Sequence, residues 1–358
     1  MDQLTGYLGI IIVFGTIIAI HEFGHFIVAK LSGMTVHEFA IGFGPALISR
    51  VRNGTRYSLR LLPLGGFVRI AGMEPGEENE PNGFYTKPFF AKFATILAGV
   101  TMNFILALLV FIIMGVAIGR STGKPVVRDV TPGTPAAQVG MQARDRIIEV
   151  AGVKDPSRDE AIRLIQEKTP PISVVVLRGD QRLTYNLTPV TIEGQAGKKI
   201  GVVLGTTYKK IGVGESIKNG FVDTYAATRA MIIGLGMLVT GQLPEGSGNV
   251  TGFVGIGRLI HDAASSALLS PENMSWFLFI FALISLNIAI VNLLPIPALD
   301  GSHLVILILE RLRGKEFDPQ KKAMVHLVGM VLLLALMVII IGQDIINWVQ
   351  GKPAIPGR

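Results

Sequence analysis

Residues His21-Glu22-Phe23-Gly24-His25 form the pattern His-Glu-x-x-His, which can bind a metal ion and activate water. On an α-helix, residues four positions apart lie on one face, so both imidazoles can reach the same ion. Glu22 then lies beside the ion, where it can take a proton from water. The alternative is a chance match in a helix. We favour the metal site because two His and one Glu inside an apolar segment are costly in lipid unless they face a partner or a cavity.

A catalytic zinc ion usually has three protein ligands and one open position, so a third ligand is required. Asp300 is the candidate carboxylate, because Pro295 and Pro297 break the helix just before it. Broken backbone at membrane depth is tolerated where it is buried in protein or lines a cavity. Two alternatives stay open: His303 as the third ligand, and Asp300 as an ordinary turn residue.

The composition indicates a membrane protein with some soluble mass. Of the 358 residues, 49% are hydrophobic and 16% are charged, against roughly 25% charged in ordinary soluble domains. The mean hydropathy is +0.51. The chain has no Cys, which excludes disulfides, a thiol nucleophile and a cysteine-ligated zinc or iron–sulfur site. We expect no nucleic-acid partner despite the net charge of +7, because in a membrane protein the location of the basic residues matters more than their sum.

Four stretches are predicted to cross the membrane, because about 20 apolar residues span its hydrocarbon core. They lie in residues 1–30, 92–119, 273–303 and 323–349. We expect the first to be retained, because it lacks the basic start and the cleavage site of a signal peptide. Residues 31–91 and 304–322 are predicted loops, and residues 350–358 are a predicted tail.

The two predicted loops are rich in Lys and Arg. Because basic short loops face the cytoplasm, we expect both loops on the cytoplasmic side. The N-terminus and the long region between the second and third segments are then extracytoplasmic. The candidate metal ligands lie toward the cytoplasmic side.

The first loop contains the hairpin signal Asn53-Gly54. It separates Ala46–Arg52 from Thr55–Leu61, where polar and apolar residues alternate as they do in a strand. Gly66–Ala71 is a candidate further strand. We therefore predict a membrane-associated β-hairpin region within residues 31–91; the alternative is a surface hairpin without a role.

Residues 121–205 resemble a PDZ domain. The run Asp145-Arg146-Ile147-Ile148-Glu149-Val150-Ala151-Gly152 is similar to the PDZ pattern Gly-Asp-x-Ile-x-x-Val-x-Gly, with Arg144 at the usual Gly position. Residues 206–272 are predicted to form extracytoplasmic amphipathic helices. The predicted fold class is a multi-pass α-helical membrane protein with four transmembrane segments, a membrane-associated β-hairpin region and an extracytoplasmic α+β PDZ domain.

Three motifs together resemble the site-2 protease family of intramembrane zinc metalloproteases: HEFGH in the first segment, Gly99-x-x-x-Asn103 in the second and NLLPIPALDG ending in Gly301 in the third. The order of segments resembles the bacterial regulator-of-sigma protease branch with a single PDZ domain. The resemblance implies His21, His25 and Asp300 as Zn²⁺ ligands and Glu22 as the catalytic carboxylate. It also implies that Asn292 holds the substrate backbone or the oxyanion.

The resemblance implies a zinc endopeptidase of the bacterial inner membrane that performs regulated intramembrane proteolysis. The expected substrates are single-span membrane proteins, such as anti-sigma factors and remnant signal peptides. Because the substrate must be extended at the scissile bond, strand addition to the hairpin region is the predicted binding mode. The candidate backbone positions are Leu59, Leu61, Phe67 and Val68. The PDZ domain is expected either to bind peptide ends or to act as a steric filter.

Two other functions remain open. The first is a membrane PDZ scaffold or quality-control adaptor with a structural zinc site. An intact Glu22 disfavours it, because a structural site needs no general base and is usually closed by four ligands. The second is a zinc protease that acts on soluble peptides. Such enzymes usually take their third ligand from a nearby soluble helix, and no suitably spaced residue follows His25.

Overall fold

The computed structural model describes residues 2–74, 76, 77, 80–191, 198–242 and 253–349. The predicted tail at 350–358 lies outside them. Helices make up most of the described chain. They are α1 (Asp2–Leu31), α2 (Phe89–Ala117), α3 (Pro135–Gln138), α4 (Arg158–Glu167), α5 (Val213–Thr240), α6 (Phe253–Ala267), α7 (Pro271–Leu293), α8 (Asp300–Arg313) and α9 (Pro319–Val349), with a short 3-10 helix at Phe84–Thr86.

The strands fall into a long pair near the N-terminus and a group of shorter strands in the middle of the chain. They are β1 (Val36–Arg52), β2 (Thr55–Ile70), β3 (Arg120–Val130), β4 (Arg146–Val150), β5 (Val153–Lys154), β6 (Ile172–Arg178), β7 (Gln181–Leu187), β8 (Val190–Thr191), β9 (Lys198–Lys199) and β10 (Val202–Lys209). The chain divides into two compact units. One combines Met1–Ile113 with Ile217–Arg358, and the other is Met114–Ser216.

Four helical stretches of the described chain are long and apolar enough to cross a membrane. They are Gln3–Leu31, Phe89–Ala117, Pro271–Leu293 and Gln320–Gln343. Each overlaps one of the four predicted segments. The third segment differs from the prediction, because its helix α7 ends at Leu293 and a new helix, α8, begins at Asp300. The predicted loop at 304–322 is therefore largely helical.

Strands β1 and β2 are each bent into two segments, and together they build a four-stranded mixed sheet in the order 66–70, 36–41, 55–60, 46–52, in which the central pair runs parallel and the outer pairs run antiparallel. Residues 36–41 of β1 pair with 66–70 on one side and with 56–59 on the other, while 46–52 pair with 55–60. The bend in β1 lies at Gly42 and Gly44, whose φ angles of 92° and 83° belong to the left-handed region that glycine tolerates. Among these pairings, residues 66–70 form one edge of the sheet.

Two buried clusters hold the first unit together. Val13 and Ile17 of α1 pack against Ile260 of α6 and Ile280 of α7. A second cluster joins the end of α1, the start of β1, the end of β2 and helices α2 and α8; its buried members include Ala29, Val36, Ile70, Ile96 and Leu304. Because these clusters flank the His-Glu-x-x-His motif, they fix α1 against the elements that supply the rest of the site.

The second unit is an antiparallel sheet in the order β10-β3-β4-β6-β7, with β5 paired to β4. Helix α4 begins at a capping box in which Ser157 and Glu160 each bond the other's backbone N–H. Arg178 binds the buried carboxylate of Asp145 through two nitrogens, at 2.7 and 2.8 Å. Burial alone raises the pKa of Asp145, but the hydrogen bonds from Arg178 and the Gln142 amide outweigh it and hold that pKa below its usual range.

Candidate metal centre

Helix α1 and the start of helix α8 bring three ligand atoms together. His21 Nε2 lies 3.2 Å from His25 Nε2, and Asp300 Oδ2 lies 3.1 Å from the first and 3.3 Å from the second. These three residues form one of the two groups of potential metal ligands in the described part of the chain. His21 is 7% exposed, so the group is largely withdrawn from solvent.

The distances fit a tetrahedral zinc ion. With bonds of about 2.0–2.1 Å, neighbouring ligands of a tetrahedral zinc lie roughly 3.3 Å apart. The three measured distances are between 3.1 and 3.3 Å. Apart from these two imidazole nitrogens, the buried Asp300 Oδ2 has no polar partner, which is unfavourable unless a cation binds it. Three ligands from the protein leave a fourth position open for water or substrate.

The turn between α7 and α8 places Asp300. Helix α7 ends before Pro295 and Pro297, which cannot continue it. Ala298 has a φ of 79°, a left-handed conformation that is uncommon for a residue with a Cβ atom. Its N–H bonds His326 Nδ1 of α9 at 3.3 Å. On the other side of the turn, a Cβ added to Gly301 would lie 2.3 Å from the Leu294 carbonyl oxygen, so the turn closes tightly only with glycine there.

Helix α2 packs against the two imidazoles through small residues. A Cβ added to Gly99 would lie 2.3 Å from His25 Nε2, and one added to Gly24 would lie 2.4 Å from the Ala98 carbonyl oxygen. The Thr95 carbonyl accepts a hydrogen bond of 2.8 Å from His25 Nδ1. That bond leaves Nε2 of the same ring as the free ligand atom.

Two further side chains border the three ligands. Asn292, in the last turn of α7, has its Nδ2 3.5 Å from His21 Nε2. The Glu22 carboxylate interacts with His25, His21 and Asp300 and is within hydrogen-bonding reach of the Val68 N–H. A Cβ added to Gly66 would lie 3.3 Å from Glu22 Cγ. Glu22 therefore lies between the three candidate ligands and the 66–70 edge of the bent sheet.

The four hairpin residues proposed from the sequence fall into two groups. Phe67 and Val68 belong to the 66–70 edge beside Glu22, and the Phe67 ring packs under the Arg60 guanidinium at 4.9 Å. Leu59 pairs on both sides, with Ile41 and Ile48, so its backbone is not available to a further strand. Leu61 lies near the bend of β2, with 52% of its surface exposed.

The other His residues lie outside the three-ligand group. His303, the rival third ligand, stacks on His326 with ring centroids 4.1 Å apart and lines a cavity of about 450 Å³. His37 forms an ion pair of 2.8 Å with Glu80. Glu77 completes a second group with these two residues, but Arg69 already binds it at 2.7 Å. We interpret that group as a surface ion-pair network.

The sequence analysis did not identify the contribution of Thr95 to the site. It named Asn103 only as part of a family motif and assigned no role to it. Asn103 is fully buried, with its Nδ2 3.3 Å from His21 Nδ1. The signal was present in the spacing, because Thr95, Gly99 and Asn103 recur every four residues and so lie on one face of α2.

The chain matches the model of peptidase family M50 over residues 9–336. It is 32% identical to the zinc metalloprotease RasP of Geobacillus kaustophilus, over 96% of this chain and 99% of the relative. It is 33% identical to a putative zinc metalloprotease of Clostridium perfringens, over 94% and 97% of the two chains. A third relative is the regulator of sigma-W protease RasP of Bacillus subtilis, 29% identical over 94% of this chain and 97% of the relative.

The chain therefore belongs to peptidase family M50, the site-2 proteases. It is a membrane-located zinc metalloprotease of the site-2 type, and its cofactor is Zn²⁺. This agrees with the resemblance seen in the sequence motifs.

Proposed function

We propose that the protein is an intramembrane zinc endopeptidase that cleaves single-span membrane proteins, with His21, His25 and Asp300 as the zinc ligands. The observation that carries the proposal is the convergence of these three side chains on one point, with His21 and His25 in a helix apolar enough to cross a membrane and Asp300 shortly after the end of another. Anti-sigma factors and remnant signal peptides are the substrate classes we propose. The name of the Bacillus subtilis relative, a regulator of sigma-W protease, supports the first of them.

The bound zinc supplies a Lewis acid that polarises the scissile carbonyl and lowers the pKa of water. Glu22 takes the proton from the attacking water and passes it to the leaving amine. The Asn292 amide, 3.5 Å from His21 Nε2, is close enough to donate a hydrogen bond to the substrate carbonyl as negative charge develops on it. In this mechanism Glu22 and Asn292 act on the substrate, while the three ligands hold the metal.

The test of this function compares a single-span substrate in detergent micelles with a soluble peptide that carries the same residues around the cleavage site. We expect the protein to cut only the membrane substrate, to lose activity when a chelator removes zinc, and to regain it when zinc is restored. A zinc-loaded protein that cuts neither substrate would instead support the scaffold or adaptor. Equal cleavage of both substrates would support a protease of soluble peptides.

We propose that the substrate binds as an added strand along residues 66–70. A helix hides its carbonyls in its own hydrogen bonds, so the scissile region must unfold, and a strand edge can bind it in extended form. The Val68 N–H is within hydrogen-bonding reach of the Glu22 carboxylate. The backbone N–H and C=O groups of successive residues in a strand point to opposite edges. The open edge beside Glu22 therefore presents the backbone groups of Val68 and of its neighbours two positions away.

Replacing Val68 with proline should reduce cleavage by about tenfold or more, because proline removes the N–H at this edge. Val68→Ala is the matched control: it trims the same side chain but keeps the N–H, and we expect much smaller losses. Zinc content should be unchanged in both variants. In addition, methylation of single backbone nitrogens in the substrate should impair cleavage at every second position tested and have little effect at the positions between. Equal activity of the two Val68 variants, with no such alternation, would rule out strand addition here.

We propose four membrane crossings, with the bent sheet on the cytoplasmic side and residues 121–205 outside. The basic residues around the sheet support this orientation. Asn53 and Asp180 lie in exposed turns, and the chain has no native Cys. In intact cells, the Asp180→Cys variant should react with an impermeant thiol reagent, and the Asn53→Cys variant should be protected from it. The reverse pattern would invert the proposed topology.

We propose that residues 121–205 are a PDZ domain. Strands β4, β6 and β7 and helix α4 fall within this range, strands β3 and β10 overlap it, and the run at 145–152 that is similar to the PDZ pattern includes β4. At the outer edge of the sheet, Arg158 Nε already bonds the Leu204 carbonyl of β10 at 2.9 Å. This contact favours the steric filter over the binding of peptide ends, because a bound peptide would compete with Arg158. Tight binding of C-terminal peptides by the isolated protein would contradict that choice.

A further inference from the structure

Asn103 of α2 contacts His21 on the side of the imidazole ring that is turned away from His25 and Asp300. Its side chain is 0% exposed, and Nδ2 lies 3.3 Å from Nδ1 of His21, the ring nitrogen that faces away from the other ligands. Asn103 Oδ1 is buried and has no hydrogen-bond partner. Ser285 of α7 donates to the Asn103 backbone carbonyl at 2.8 Å, which ties this point of α2 to a second helix.

A zinc-bound His needs a proton on its other ring nitrogen, and that N–H needs an acceptor. His25 meets the requirement, because its Nδ1 lies 2.8 Å from the Thr95 carbonyl, a group that can only accept. When Nε2 of His21 binds zinc, its Nδ1 becomes a donor too. An amide NH₂ at 3.3 Å would then face a second donor, whereas the amide oxygen would complete the bond.

The oxygen and nitrogen of an amide occupy nearly the same space, so Asn103 can present either one to His21 after a half-turn of its side-chain amide. A water molecule could accept this hydrogen bond only if there were space for it beside His21. Asn103 is fully buried, so the amide itself is the acceptor. The requirement of His21 therefore decides the orientation of Asn103.

We propose that Asn103 is a positioning residue whose Oδ1 accepts a hydrogen bond from His21 Nδ1–H. It thereby holds the ring in the tautomer and orientation that leave Nε2 for zinc. This inference rests on the proposed ligand set. It assigns to α2 one acceptor for each ligand His, the Thr95 carbonyl for His25 and the Asn103 amide oxygen for His21.

The test measures the zinc affinity of the full-length protein in detergent by competition with a chelating dye. Asn103→Leu keeps the volume and removes the acceptor, so its zinc affinity should fall by about 10–100-fold, as is typical when a partner of a ligating His is removed. Asn103→Asp keeps an acceptor in the same place and should restore binding toward the wild-type value. Thr101→Val is the matched control on the exposed side of α2 and should bind zinc normally.

Each outcome separates this inference from the proposed ligand set. If His21→Ala binds zinc as tightly as the wild type, the ligand set is wrong and the role of Asn103 is rejected with it. If His21→Ala loses zinc while Asn103→Leu binds it normally, only the role of Asn103 is overturned. If Asn103→Leu fails to fold, Asn103→Gln takes its place. That variant keeps the amide but displaces its oxygen, so weaker binding supports the inference and unchanged binding rejects it.

Discussion

Replacing Glu22 with glutamine is expected to abolish cleavage while zinc stays bound. Glutamine keeps the shape of the side chain but cannot take a proton from water. Loss of a general base typically costs about 10²–10⁴-fold in rate, so we expect a fall in kcat of that size. Zinc content should not change, because Glu22 is not one of the three converging ligands.

The measurement is single-turnover cleavage of a membrane substrate together with metal analysis of the same sample. Glu74→Gln is a matched control on an exposed residue, whose partner is Arg69. Its activity should equal that of the wild type. A Glu22→Gln protein that cleaves normally would remove Glu22 from the mechanism, and one that has lost its zinc would make Glu22 part of the metal site.

Asp300→Ala should lose zinc, whereas His303→Ala should keep it. Asp300 Oδ2 lies within 3.3 Å of both ligand nitrogens, while His303 stacks on His326 beside a separate cavity. Removal of one of three protein ligands should weaken binding by more than the 10–100-fold typical of residues that only support a ligand. Metal analysis after dialysis against a weak chelator distinguishes the two variants.

The two variants form their own control, because both remove a polar side chain from the first turn of α8. A His303→Ala protein without zinc and an Asp300→Ala protein with zinc would reverse the ligand assignment. Loss of zinc in both would indicate that the α7–α8 turn, rather than one side chain, had been disturbed. Thermal unfolding in the presence of chelator would reveal such a disturbance.

The approach of His21 and His25 on α1 was predictable because it depends only on helix geometry, which places the two residues on one face. The choice between Asp300 and His303 was not. It depends on the path of the α7–α8 turn, and that path includes a left-handed Ala298, which no local pattern indicates. The proline break just before Asp300 favoured it, as did the family resemblance, but the residues alone left His303 open as an alternative.

The hairpin shows a similar limit. Asn53-Gly54 correctly predicted the turn, because a two-residue turn has a strong local signal. The first strand, however, begins at Val36, ten residues before the predicted start. The bend at Gly42 and Gly44 interrupts its alternation, so the region before the bend was not recognised as part of the same strand. The edge beside Glu22 exists because residues 36–41 pair with residues 66–70, and the periodicity of the sequence does not predict which distant segments pair.

The proposed ligands are far apart in the chain, and this affects when the enzyme becomes active during synthesis. His25 precedes Asp300 by about 275 residues, which a ribosome adds in roughly 14 to 55 s at typical rates. During that interval the nascent chain carries both imidazoles but not the carboxylate. A complete catalytic centre can therefore form only when the start of α8 has been synthesised, so the growing chain remains inactive in the membrane until that helix is reached.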